Sequence, residues 1–325
     1  MIRDLSVVVI ARNESFGIRK CLGALTSLPM ENSQIICIDS GSTDDTRAIM
    51  DSYARTCHAV EVHSIQGILN AAVARNAGMR LVSRDFLLFL DGDMEVEQEF
   101  VEQALEILRC GQAGMVTGQL KETYYSPDFA GPLRVVQDRF HVHRQRRFWH
   151  SGGAFMVRSS IARAAGLWDE SLAVNEDYDY TLRLSRLTRG LAIPVAMGTH
   201  HTLQRRPAPL DDLRKGRPLC FGVVVRRNLD RPVVLLDLMR RSGVGTEGLA
   251  LLLLVTAIVM ASVACGWSRG WVSVLAVVCG FCLFDLIQSI RRRQSLWNRF
   301  VAHYVCALPV IAGICGAGPR ASQAG

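Results

Sequence analysis

The chain has 325 residues, 49% of them hydrophobic, and a net charge of +7. That is long enough for a full domain plus something extra, and ten cysteines without metal-ligand or disulfide-framework spacing argue against a structural zinc site or a disulfide scaffold and for a reducing compartment around the soluble part. The basic excess is local: residues 202–241 hold ten Arg or Lys against four Asp. With no recognition motif beside it, this strip argues against nucleic acid and for attraction to anionic lipid headgroups.

In chain order, residues 5–10 predict a buried strand, too short for the apolar stretch of a signal peptide. Ala11-Arg12-Asn13-Glu14 then leads into a helix with Ile18, Cys21, Leu22 and Leu25 on one face and Asn13 as its N-cap. Residues 34–38 predict a second strand, ending at Asp39 and a run of turn formers that opens another helix. Asp39 stands where a carboxylate accepts from a base or ribose donor, although Ser42, Thr43 and Asp44 also suit plain capping. Residues 60–62 suggest a third strand, and 69–81 a helix carrying Arg75, which taken alone reads as a solvated helix residue. Residues 86–90 are uniformly apolar and stop at Asp91-Gly92-Asp93. At the carboxyl end of a parallel strand such a pair can offer oxygens to one hard divalent cation holding a diphosphate; the plain alternative is a β-turn.

A helix over 98–108 and a short strand over 114–118 complete a βαβαβαβ-like order, which predicts a mostly parallel sheet with covering helices. Residues 134–150, with Arg139, Arg144, Arg146 and Arg147, read as a solvated helix face or as a lining that meets phosphate. Glu176 and Asp177 open a helix with Tyr180, Leu184 and Leu187 at helical spacing, where capping and dipole compensation are one account of the acidic pair. Residues 192–196 are strand-like, and His200 and His201 follow them.

Ser-Val-Val-Val-Ile-Ala-Arg-Asn-Glu at 6–14, Ile-Asp-Ser-Gly-Ser-Thr-Asp-Asp-Thr at 38–46, Ala-Arg-Asn-Ala-Gly at 74–78 and Phe-Leu-Asp-Gly-Asp at 89–93 together resemble family 2 glycosyltransferases of the GT-A fold. Ser151-Gly152-Gly153-Ala154-Phe155, Gly166-Leu167-Trp168-Asp169-Glu170 and Asn175-Glu176-Asp177 look like that family's acceptor-side segments. The resemblance covers about residues 5–205 and implies a Rossmann-like catalytic domain over 1–206. It implies that Ala11, Glu14 and Asp39 hold the base and ribose of a nucleoside-diphosphate sugar, uridine diphosphate first, and that Arg75 and Gly153 belong to the same site. Asp91 and Asp93 would hold the ribose and a Mg2+ or Mn2+ ion, with His200, preferred to His201, completing the metal shell. Asp177 is the expected base for the acceptor hydroxyl, with Glu176 assisting.

Two departures matter. Ala11 replaces a Pro common in the family, at a contact made through backbone, and Gln204-Arg205-Arg206-Pro207 lacks the Gln-x-x-Arg-Trp pattern of processive synthases, so one sugar per acceptor is expected. The expected acceptor is a hydroxyl of a lipid-linked or cell-surface saccharide. The rivals are transfer onto a polyprenyl phosphate, which needs no base, and a non-catalytic membrane scaffold. A sugar nucleotidyltransferase would want a Gly-rich phosphate loop after the first strand, which Ala11-Arg12-Asn13-Glu14 does not supply.

Beyond the catalytic domain, residues 207–245 read as a basic juxtamembrane segment of interfacial helices. Residues 246–325 read as two or three transmembrane helices near 248–266, 271–290 and 300–318. The Cys279-x-x-Cys282 pair falls inside an apolar run and reads as packing surface. Arg291, Arg292, Arg293 and Arg299 against a lone Arg269 put their loop, and with it the catalytic domain, on the cytoplasmic face of the inner membrane.

Overall fold

The computed structural model describes residues 2–204, 209–242 and 306–316, with 274, 277 and 278 singly. These fall into two compact units, one made of residues up to 172 and 176–204, the other of 173–175 and the described residues from 209 onward. In chain order the first unit begins β1 (Ile2–Arg3), β2 (Leu5–Ala11), α1 (Ser15–Ser27), β3 (Met30–Glu31), β4 (Gln34–Asp39) and α2 (Thr46–Thr56). It continues β5 (Val60–Ser64), α3 (Ala71–Leu81), β6 (Phe86–Asp91), β7 (Met94–Val96), α4 (Gln98–Arg109) and β8 (Met115–Tyr125). Then come β9 (Pro132–Val136), β10 (Arg146–Phe148), β11 (Phe155–Arg158), α5 (Ser159–Ala164), α6 (Glu176–Leu187) and β12 (Gly190–Leu203).

A ten-stranded sheet runs β10-β12-β8-β11-β6-β2-β4-β5, with β7 added to β12 and β9 to β8. Every residue of β2 is buried, as an apolar strand covered on both faces requires. Its alternate residues feed two cores. Val7 and Val9 join Ile18, Leu22, Ile49, Phe100 and Leu105, so α1, α2 and α4 cover one face. Val8 and Ile10 join Ala74, Ala162, Tyr180 and Leu184, so α3, α5 and α6 cover the other. Each such fully buried aliphatic side chain contributes about 1.5–3 kcal/mol.

The parallel expectation holds for β5-β4-β2-β6 and again for the β8-β12 pair, and fails at the strands between and beside them. There β11 lies antiparallel between β6 and β8, and β7, β9 and β10 also pair antiparallel, so the sheet is mixed. The expected short strand at 114–118 is the start of the eleven-residue β8. The expected helix face at 134–150 is instead strand and turn, because Val135 and Val136 extend β9 along β8 and Arg146 to Phe148 pair with β12. β12 is fourteen residues long and runs on through the two histidines. Register shifts around Ala196, just after Pro194, bend it between its partners.

The second unit holds α7 (Pro209–Arg214), α8 (Arg217–Arg226), α9 (Pro232–Ser242) and α10 (Ala307–Ile314). α8 buries Phe221, Val223 and Val224 and meets α10 where Gly222 approaches Gly313. Among the described residues no helix is long and apolar enough to cross a membrane. The runs expected at 248–266 and 271–290, including Cys279 and Cys282, lie outside the described residues apart from 274, 277 and 278, and within 300–318 the eight-residue α10 is what is described.

Candidate active site

The first unit carries a cleft of about 350 Å³ lined by Ala11, Arg12, Glu14, Ser40, Arg75, Asp91, Asp93, Gly153, Glu176 and Asp177 among others. It opens at the carboxyl ends of β2, β4 and β6, where the chain leaves β2 for β4 on one side and returns as β6 on the other. Such a reversal of strand order leaves a crevice above the sheet. β4 and β6 end there in Asp39 and Asp91.

The loops after β2 and β4 buckle together. Thr43 N donates to Asn13 Oδ1 at 2.8 Å, Asn13 N to Ser42 Oγ at 3.0 Å, Glu14 N to Thr46 Oγ1 at 2.8 Å and Ser15 N to Asp44 Oδ2 at 3.1 Å. Asn13 is therefore not the cap expected for α1; at φ 56° its side chain ties down the neighbouring loop, and α1 starts from Glu14. Asp39 is 4% exposed and accepts from Ser42 N at 3.1 Å through one oxygen, so it also shapes its own turn.

Arg75 is the hub of the cleft and not the solvated residue its helix suggested in isolation. It is 3% exposed, donates from Nη2 to Asp91 Oδ1 at 2.6 Å and from Nη1 to Glu176 Oε1 at 2.8 Å, and lies 4.7 Å from the ring of Trp168. Trp168 in turn stacks on Tyr180 at 4.1 Å. Burial opposes the guanidinium charge, but Asp91, Glu176 and Asp177 hold it firmly protonated. Gly153 makes room for this: a Cβ there would sit 2.1 Å from Arg75 Nη2 and 2.9 Å from Asp91 Oδ2.

With Glu176 engaged by Arg75, Asp177 is the carboxylate left for chemistry. Among the described residues its Oδ1 accepts the backbone N–H of Tyr178 at 2.8 Å and no other hydrogen bond. Burial first, and then Glu176, push its pKa up to about 7, with Arg75 pulling the other way. A group poised near neutrality is suited to taking a proton from a hydroxyl. Both acidic residues lie in the first turn of α6, where the helix dipole favours negative charge.

The end of β6 is rich in carboxylate. Gly17 packs α1 directly against it, since a Cβ at Gly17 would sit 2.6 Å from Asp93 Cα. Asp93 Oδ2 meets His200 Nε2 at 3.0 Å, while its buried Oδ1 has no hydrogen-bond partner among the described residues. Glu14 is pushed up to about 7, by burial and then by Asp93 and Asp91. Among the described residues no three side chains already form a ligand cage. An orphaned carboxylate oxygen beside an imidazole, with further carboxylates near, nevertheless fits a hard cation that takes its other oxygens from a diphosphate. Asp93 and His200 would hold it; Asp91 has one oxygen committed to Arg75.

The two histidines separate by strand alternation. His200 faces Asp93, and His201 faces Glu95 at 2.9 Å and the Tyr125 hydroxyl at 3.1 Å. Sequence reasoning missed Glu95 and Glu122, and no local motif marks either. Burial works to raise Glu122, yet bonds from His200, Tyr124 and Arg139 hold it down at about 2.

Residues 6–166 match glycosyl transferase family 2. Glycosyltransferase AglE of Haloferax volcanii is 30% identical over 122 residues, which are 37% of this chain and 40% of that protein. The chain spans from 17 to 61% of the length of the first three curated relatives it matches. Among solved structures, the mannosyltransferase PcManGT from Pyrobaculum calidifontis, in complex with GDP-Man and Mn2+, superposes with TM-score 0.57 at 14% identity, covering 96% of this chain and 87% of that one. S. aureus TarS 1–349 in complex with UDP-GlcNAc superposes with TM-score 0.54 at 16% identity, covering 68% of this chain and 65% of that one. These likenesses carry the fold, and the family match coincides with the strands and loops that build the cleft: residues 6–166 form a domain that matches glycosyl transferase family 2.

Proposed function

We propose that the protein transfers a single sugar, with inversion, from a nucleoside diphosphate sugar to a hydroxyl of a lipid-linked or cell-surface saccharide. The observation that carries this reading is Asp177, raised to about 7 in the same cleft as Asp91, Asp93 and Arg75. An inverting transfer needs one base on the acceptor side and a charged cradle on the leaving-group side. Asp177 takes the acceptor proton as the oxygen attacks the anomeric carbon. Asp39 and the backbone at Ala11 receive the nucleoside, and Arg75 keeps Asp91 and Glu176 in place while Gly153 leaves space beside them. Asp93 and His200 would hold a Mg2+ or Mn2+ ion, which when bound would supply neutralising charge for the departing diphosphate. The complexes of PcManGT with GDP-Man and of TarS with UDP-GlcNAc support a nucleotide-sugar donor, and uridine diphosphate sugars are proposed first.

The uncharged stretch over 248–266 and the basic strip before it support attachment to the cytoplasmic face of the inner membrane, which brings the cleft to a lipid-linked acceptor. The test is slow hydrolysis of a panel of nucleotide sugars by the full chain, with and without Mn2+, against Asp93→Ala. Cleavage of one donor that needs the ion and Asp93 is the expected result; no cleavage of any donor under either condition overturns the reading.

A further inference from the structure

At His200 the long strand β12 is paired on both edges: with Glu122 of β8 on one side and with Met94 of β7, the residue after Asp93, on the other. Register neighbours in adjacent strands project to the same face, which sets Glu122 beside His200, while Asp93 stands in the turn one residue before β7. His200 Nε2 is 3.0 Å from Asp93 Oδ2, and its Nδ1 is 3.4 Å from Glu122 Oε1. Glu122 is itself held: Arg139 Nη1 donates to its Oε2 at 2.7 Å, and the Tyr124 hydroxyl donates to the same oxygen. It is 5% exposed, and a buried carboxylate is costly unless every oxygen is used.

An imidazole offers a lone pair at one nitrogen when the other carries the proton, and the partner of that second nitrogen decides which is which. We propose that Glu122 is a positioning residue for the donor site: it accepts a hydrogen bond from Nδ1–H of His200 and fixes the ring with Nε2 toward Asp93, so that histidine and carboxylate converge on one divalent cation. Tyr124 and Arg139 keep Glu122 in that pose. The inference rests on the reading of Asp93 and His200 as the residues that hold the ion.

The test is titration of the full chain with Mn2+ in the presence of UDP, followed by electron paramagnetic resonance of the free ion. Wild type is expected to take up Mn2+ and Asp93→Ala to lose it; wild type that takes up none ends the metal reading and this inference with it. Given uptake, Glu122→Ala is expected to weaken Mn2+ binding by about 10–100-fold, the usual cost of losing such a supporting partner. Tyr124→Phe, which keeps the carboxylate and the fold, is expected to shift affinity the same way by less. In a His200→Ala background Glu122→Gln is expected to change Mn2+ affinity no further, because the glutamate acts through that ring. Wild-type Mn2+ affinity in Glu122→Ala and Tyr124→Phe, or a lowered melting temperature with unchanged ion affinity, would overturn the role of Glu122 and leave the metal reading standing.

Discussion

The two halves of the sheet make their contributions to the cleft by different means. In β5-β4-β2-β6 all strands are parallel, and each site residue follows or ends its own strand: Ala11 closes β2, Asp39 closes β4, Asp91 closes β6. In the half built from β8, β11 and β12 the pairing is mixed, and its contributions arrive over long sequence distances. His200 reaches Asp93 because Gly198 to His200 pair with Met94 to Val96, and Glu176 reaches Asp91 through Arg75. The half proposed to receive the nucleotide is thus assembled from local units, whereas the half proposed to complete the site depends on the whole domain having folded. Substitutions in the two halves should therefore fail differently.

The largest effect is expected at Asp177. Asp177→Asn keeps size and shape but removes the base, so turnover is expected to fall by about 10²–10⁴-fold with nucleotide affinity unchanged, as stopped transfer assays and calorimetric UDP titration would read. Its stability is expected to hold or rise. The carboxylate's folded pKa is raised, so ionisation costs stability above the unfolded value, and removing the charge removes that cost. The next effect is at the joint between the halves. Arg75→Met leaves Glu176 buried and Asp91 half-exposed without their cation, and urea unfolding is expected to show a loss of about 3–5 kcal/mol, toward the lower end because Asp91 is partly solvated.

Gly153→Ala drives a methyl into Arg75 and Asp91, which is expected to cost about 1–3 kcal/mol and to weaken donor binding more than it lowers the melting temperature. The last pair sits on α6 and contains the smallest effect, at Leu187. Leu184→Ala removes a fully buried side chain and is expected to cost about 2–5 kcal/mol, while Leu187→Ala, at a residue 52% exposed, is expected to stay within about 0.5 kcal/mol. Equal costs at both positions would show that α6 is rotated from its described face.

What could be read from residues alone follows the same division. The strand at Leu5 to Ile10, the helix face of Ile18, Cys21, Leu22 and Leu25, and the run into Asp91 were legible because their signals are periodic and short-range. Arg75 was misjudged in isolation because burial of a charge depends on Asp91, Glu176 and Trp168, which no spacing around it reveals. β7 was missed because three residues after a turn carry no pattern of their own, and it exists through pairing with β12. The stretch from Arg134 to His150 was misread because its charges suggest a solvated helix, while the partners that hold it extended, β8 and β12, lie elsewhere in the chain.

The proposed transfer turns on Asp177 being the base. The most direct measurement is the pH dependence of kcat/KM for donor turnover by the wild-type chain across the neutral range, beside Asp177→Asn. A base must be ionised to act, so with a pKa raised to about 7 the wild-type rate is expected to climb with pH and level off above that value, and to drop about tenfold for each unit below it, while the variant is slow and lacks this limb. A wild-type profile already flat from the ordinary carboxylate range upward, or a variant with the same limb and the same rate, would contradict it.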